Sequence, residues 1–335
     1  MHALLLALAT LALHPPAPQV SIGGGSAAAQ PATAEFSALT EDLTEGANFH
    51  PEPFTGLAFD ADGAIYAVNP YESTFLKYAS PSAAAPALRV RTGLNPVSIA
   101  IWNQGPSLAE RRVLVLCTGS HALFLHAADD GRVLDALALD SEPADLVLDA
   151  DNGWAFASCR GDDTVVRIDL ASFSIGARYE IGCGQRPGPL HLDRGNPAIV
   201  TDNRVYVAPM VTGNNTTVQP GVGPFLTTVV RLDNQAVELP DEDVFRIDAF
   251  APQASAVTSA VRRAGSLIFA LGRNPSTREL WVLSTDSLND SAANEPALNG
   301  QFALNQLVRL AGVTATSALV TGGAGIDLDD YLPFT

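Results

Sequence analysis

Six side chains of chemically competent type stand in polar turns along the chain: Glu52, Asn95, His121, Glu142, Arg160 and Arg186. Four of them directly precede a proline, in His50-Pro51-Glu52-Pro53, Asn95-Pro96, Glu142-Pro143 and Arg186-Pro187, and Arg262-Arg263 occupies a fifth turn of this set. His121 and Arg160 belong to a second set, Asn69-Pro70-Tyr71-Glu72, Ser120-His121, Arg160-Gly161-Asp162-Asp163, Asn214-Asn215 and Asp286. Carboxylate, amide and imidazole groups meeting at one mouth would hold a small ligand or a metal ion. A positioned acid and base among them would hydrolyse one. The plainer reading is that proline fixes each turn while Asp and Asn cap it. The chain has no Gly-x-Ser-x-Gly, His-Glu-x-x-His, P-loop or dinucleotide fingerprint, so catalysis has no positive sign and neither a cofactor nor a resident metal is expected.

The elements that must position these turns recur with a period of about 45 residues. The phrase is clearest in GLAFDADGAIYAV from Gly56 and DLVLDADNGWAFASC from Asp145, where an apolar strand ends in an Asp-x-Asp turn with a glycine and a second apolar strand follows. First strands are read at Gly56, Ser98, Asp145, Pro189 and Ile268, and the steps between Leu57, Ile99, Leu146 and Leu190 are 42, 47 and 44 residues. Second strands such as RVLVLC and WAFASC are apolar on both faces, as strands sandwiched between sheets must be. TVVRID, from Thr164 to Asp169, alternates apolar with charged and reads as a strand nearer the outside. Four strands per repeat make the blade of an all-β propeller with at least five blades. Alternate turns of such blades share one rim, which gathers both sets of polar turns. The dense Gly, Asn, Pro and Thr of about 211–240 read as an insertion within the fourth blade. The Asp-x-Asp turns resemble calcium loops but are too short for an EF-hand and fit hairpin chemistry. His191, in Leu190-His191-Leu192, reads as a core residue of an innermost strand or one facing the channel.

GDDTVVRIDLASFSIGARYEI, preceded by WAFASC and followed by RPGPLHLD, resembles the YVTN-type β-propeller repeat of bacterial exported proteins over roughly Pro53 to Leu310. LPDEDVFRID and FALGRNPSTRELWVLSTDSLND are similar to propellers that precede a di-haem cytochrome c peroxidase-like domain. That resemblance implies a redox partner domain. No Cys-x-x-Cys-His is present, which excludes covalent c-type haem on this chain. Such propellers usually close with six to eight blades, so five counted here imply an incomplete seven-bladed ring and a fragment, with GIDLDDYLPFT stopping where another first strand is due.

With 36 acidic against 19 basic side chains the net charge is −17, a field that repels nucleic acid and anionic membranes. Hydrophobic residues reach 47% and charged ones only 16%, as closely packed sheets require. The apolar run Ala3 to Leu13 with small residues before Gln30 and Glu35 reads as a signal peptide and flexible leader over residues 1–34, ahead of a propeller over 35–335. The expected location is periplasmic or extracellular, and no segment reaches the length of a transmembrane helix. In an oxidising compartment Cys159 and Cys183 would form the disulfide, leaving Cys117 free. The reading is an exported, non-enzymatic binding or scaffold module for a protein or small molecule at the rim. Its alternative is a lactonase-like hydrolase using Glu52, Asn95, His121, Glu142 and Arg160.

Overall fold

A computed structural model describes residues 56–104, 107–182, 186–195, 199–210, 217–218, 230–231, 242–287, 303–314, 317–322 and 325–328. All lie in the unit Thr44–Thr335. The first blade is β1 (Leu57–Phe59), β2 (Ile65–Asn69), β3 (Thr74–Tyr78) and β4 (Leu88–Arg91); the second is β5 (Pro96–Asn103), β6 (Arg111–Cys117), β7 (Ala122–Ala127) and β8 (Val133–Ala138). The third holds β9 (Pro143–Asp149), β10 (Trp154–Cys159), β11 (Thr164–Asp169) and β12 (Ser174–Glu180). The fourth opens with β13 (Pro187–Asp193) and β14 (Arg204–Pro209). A small separate hairpin, β15 (Thr217–Val218) with β16 (Val230–Arg231), follows before the blade resumes with β17 (Val244–Ile247) and β18 (Val257–Arg262). The fifth comprises β19 (Leu267–Arg273), β20 (Leu280–Ser287) and β21 (Ala303–Leu310). From there the chain visits the fourth blade as β22 (Val320–Thr321), parallel to β18, and returns as β23 (Ile326–Asp327), antiparallel to β21.

Two expectations are corrected here. The segment at Ile326 is not the place of a new first strand: it pairs with β21 and completes the fifth blade. The fourth blade has five strands rather than four, because β22 adds to its outer edge. TVVRID is the third of four strands and largely buried; the exposed alternation belongs to β12, the outermost. Arg167 escapes full solvation by lying 4.5 Å over the Trp154 ring, a contact that favours the cation through the ring's negative face.

The two-sided apolarity of the second strands follows from blade-on-blade packing. In β6, Val113 and Val115 face the first blade beside Tyr66 and Phe75. Leu114 and Leu116 face the third beside Leu146 and Val166. Phe156 and Val165 then meet Leu190 and Val207 of the fourth blade, and Tyr206 and Val244 meet Ile268 and Val282 of the fifth. Burial of each such side chain is worth ~2 kcal/mol. The Asp-x-Asp turns carry left-handed glycines, Gly63 at φ 83° and Gly153 at φ 68°, a conformation that costs glycine nothing. Their carboxylates also reach across blades: Asp60 and Asp62 pair with Arg111 of the second blade, and Asp149 accepts from Asn203 of the fourth at 3.0 Å.

Candidate functional site

Because the strands run up and down, turns from second to third strand and from one blade to the next lie at the same end of the sheets. Asn95, Glu142 and Arg186 each end the connection to a new blade, Arg263 opens one, and the four share φ of 51°, 51°, 49° and 58°. His121 and Asp163, before third strands, have φ of 49° and 53°. The backbone explains this repetition. The carbonyls of Asn95, Glu142 and Arg186 accept from the amides of Thr118, Arg160 and Met210 at 3.0, 3.0 and 2.9 Å. Those of His121 and Asp163 accept from Leu139 and Ile181 at 2.8 and 2.9 Å. A non-glycine residue held at positive φ stores on the order of 1 kcal/mol, and these ladder-end hydrogen bonds hold it there.

Three of the predicted site residues come together at the edge between the third and fourth blades. Arg186 Nη2 donates to Glu142 Oε2 at 2.6 Å, with both side chains about half exposed. The Arg186 amide donates to Asp163 Oδ1 at 2.7 Å. Beside them Arg160 is buried. Burial and the neighbouring Arg186 charge push its guanidinium down to about 10, against the opposing pull of Glu142 and Asp145. Asp145, 1% exposed, joins three blades. Its Oδ1 accepts from Ser98 Oγ of the second blade at 3.1 Å, and its Oδ2 from the Leu190 amide of the fourth at 2.9 Å. Ser158 Oγ extends the network to the Gly188 carbonyl at 2.7 Å.

Asn95 and His121 sit apart from that pair, in the turns of the second blade, both hydrogen-bonded through their backbones to Thr118. Asn95 Oδ1 is buried without a hydrogen-bond partner among the described residues. Glu52 lies outside the described residues, as does Cys183. Cys159 and Cys117 are buried free thiols. Burial raises both, Cys117 to about 12. Cys117 Sγ lies 3.7 Å from Thr92 Oγ1, which is also 3.0 Å from His126 Nε2. Burial favours the neutral His126 ring and lowers its proton affinity, outweighing the opposite pull of the hydrogen bond that Nδ1 donates to the Gly131 carbonyl at 2.9 Å. His191 pairs across to Tyr206 on the face turned to the fifth blade. Its Nε2 is buried without a hydrogen-bond partner among the described residues, and burial pushes it down to about 4.

Among the described residues no three His, Cys, Asp or Glu side chains gather as a metal site. The rim cluster is a carboxylate–guanidinium pair beside a buried guanidinium, an arrangement suited to holding polar ligand groups and lacking an imidazole to move a proton. Sequence reasoning found Glu142, Arg160 and Arg186 but missed Asp145 and Ser98. Their signal was a polar residue at one position of consecutive, otherwise apolar inner strands. It also missed Thr74, Arg89 and Arg91, which with Glu72 line a cleft of about 530 Å³ at the first blade's rim.

No family model and no curated protein matches the sequence. Solved structures do. Hydrazine synthase from Kuenenia stuttgartiensis superposes with a TM-score of 0.53 at 14% identity, over 78% of this chain and 65% of that one. A functionally unknown protein from Desulfotomaculum acetoxidans gives 0.50 at 10% identity, over 82% and 71%. The fold is a β-propeller. At these identities the similarity is one of fold, and this chain spans about two thirds of the hydrazine synthase chain it matches. Virginiamycin B lyase from Staphylococcus aureus is a further match, at 13% identity and a TM-score of 0.48 over 76% of this chain and 66% of that one.

Proposed function

We propose that this propeller is an exported, non-enzymatic binding or scaffold module whose rim engages a protein or small-molecule partner. The observation that carries the reading is the Glu142–Arg186 ion pair. A general acid or base needs a free, positioned carboxyl group with a shifted proton affinity, whereas this carboxylate is committed to a guanidinium and its backbone to a recurrent turn. The propeller fold supports a rigid platform for binding, and among the described residues no helix is long and apolar enough to cross a membrane. The YVTN-type repeat resemblance and the leader at 1–34 support export to the periplasm or cell exterior. The similarity of LPDEDVFRID to propellers preceding cytochrome c peroxidase-like domains supports a redox domain as partner.

The test is an assay of the purified chain on lactone and ester substrates, with and without calcium, beside Glu52→Gln and Glu142→Gln. No turnover is expected. Turnover that either carboxylate variant abolishes would replace the binding module with a lactonase-like hydrolase.

A further inference from the structure

Each blade ends in an outer strand whose alternate amides and carbonyls point away from its neighbour, an edge open to further pairing. The chain itself meets three of these edges. β22 runs along β18 and β23 along β21, while Gln253 Nε2 donates to the Arg178 carbonyl of β12 at 2.5 Å. On the first blade the Thr92 amide bonds back to the Ser73 carbonyl at 3.0 Å, so the register turns the backbone groups of Arg89 and Arg91 outward. Two arginines occupy that edge.

The edge of the second blade, β8, has neither device among the described residues. The Leu139 amide bonds to the His121 carbonyl at 2.8 Å, and the register continues through Leu123 opposite Leu137 and Leu125 opposite Asp135. Hydrogen-bonded pairs alternate in an antiparallel ladder, so the backbone groups of Ala136 and Ala138 point to the open side. Small side chains stand at both positions. The strand is exposed at every residue but Leu137, with Val133 at 47% and Leu134 at 37%. The outward amide of Ala136 already donates to a carboxylate oxygen, Asp135 Oδ1, at 2.8 Å.

Charge selects the occupant. Asp130 and Asp140, at the two ends of β8, are paired with Arg132 at 3.6 Å and Arg178 at 2.9 Å, whereas Asp135 is exposed and has no ion pair among the described residues. A second copy fits poorly: pairing two β8 strands about Ala136 sets their Asp135 carboxylates diagonally on one face, where like charges repel, and a net charge of −17 on each chain adds to that. A strand with a cation opposite Asp135 reverses the sign. It would also draw the carboxylate off the Ala136 amide and free that donor for an incoming carbonyl.

We propose that β8 is a docking edge for a partner protein, which adds to the second blade an extended strand carrying a lysine or arginine against Asp135. Main-chain bonds to Ala136 and Ala138 supply the attachment and the cation supplies the selectivity, as in recognition by strand addition. β22 and β23 show that outer edges of this fold take a further strand of either direction. The surface uses none of the rim residues Glu52, Glu142 or Arg186, so its test and the turnover assay fail separately.

Backbone-amide NMR of the full chain, titrated with the peptide acetyl-Thr-Val-Lys-Val-Thr-Val-amide and with its glutamate-for-lysine counterpart, tests it. The lysine peptide is expected to shift the Ala136 and Ala138 amides saturably, and the glutamate peptide to bind about threefold more weakly or worse. Asp135→Asn should bring the two peptides to equal affinity. Ala138→Pro should abolish binding of both and leave the urea midpoint unchanged, because a proline on an edge removes only an outward amide; where it disturbs the strand, the loss of preference in Asp135→Asn carries the test. Absence of binding to the unaltered chain would overturn the proposal, as would equal affinity for the two peptides or binding that survives Ala138→Pro. A dimer of the unaltered chain in sedimentation that Ala138→Pro dissociates would give the edge to a second copy and overturn it as well.

Discussion

Arg186 donates to Glu142 across 2.6 Å from an equivalent turn 44 residues away. The two residues occupy the same step of consecutive blades, so the pair is a product of the repeat: each turn presents one side chain at the same height, and here their charges are opposite. Since both side chains are about half exposed, the pair is screened and worth less than ~1 kcal/mol. Glu142→Gln should shift the free energy of unfolding in urea by no more than that. A larger loss would mean that Glu142 also sustains buried Arg160.

Asp145 is expected to behave oppositely. Its carboxylate is 1% exposed and accepts from Ser98 Oγ and the amides of Leu146 and Leu190. Asp145→Ala would leave donors from three blades unpaired in the interior, a loss of about 2–4 kcal/mol. Equilibrium urea unfolding of Asp145→Ala beside Glu142→Gln would read the contrast directly. Equal effects would refute it.

Acid should destabilise the protein well before carboxylates titrate. Burial lowers the proton affinity of His126, and pushes His191 from 6.5 down to about 4. As pH falls below about 6.5 the unfolded chain takes up these protons first, so their stabilisation, complete above that pH, is lost on acidification, until pH about 4 for His191. The slope is at most about 1.4 kcal/mol per pH unit for each histidine. Thermal unfolding followed from pH 7 to pH 4 should show the decline, and His126→Gln, less stable at neutral pH, should show a flatter one.

The thiols of Cys117 and Cys159 should be inert in the native state. Both are fully buried, and thiolate formation at Cys117 is pushed up to about 12. Nucleophilic attack requires the thiolate. Mass spectrometry after alkylation at pH 8 should find both residues unmodified in native protein and modified in denaturant. Rapid native labelling of Cys117 would show that the seam holding Thr92 and His126 opens.

Much of this fold could be read from composition along each strand. The blade phrase, the first strands and the two-sided apolarity of β6 and β10 are local properties, because a strand packed on both faces must be apolar at consecutive positions. What the sequence hid is the choice of partner across blades. Asp60 and Asp62 read as hairpin chemistry, and the Asp62 amide does bond to Asp60 Oδ1 at 3.1 Å. Their pairing with Arg111, about 50 residues away, depends on where the next blade's second strand begins. The candidate site was legible as a set of turns and illegible as geometry. Proline spacing placed Glu142 and Arg186 at one rim, but a linear pattern does not tell which members of that rim touch.

The excursion of β22 limits how the molecule can be rebuilt. Each of the first three blades occupies one uninterrupted stretch, so a duplication or deletion cut between rim turns would exchange a whole unit. The last two do not have this property: β22 leaves the fifth blade, runs parallel to β18 of the fourth and is held by the Gly322 amide on the Arg262 carbonyl at 2.7 Å before β23 returns. Any recombination that moved one without the other would sever a strand from its sheet. The fourth and fifth blades are therefore a single cassette for shuffling or design, and grafted modules belong among the first three.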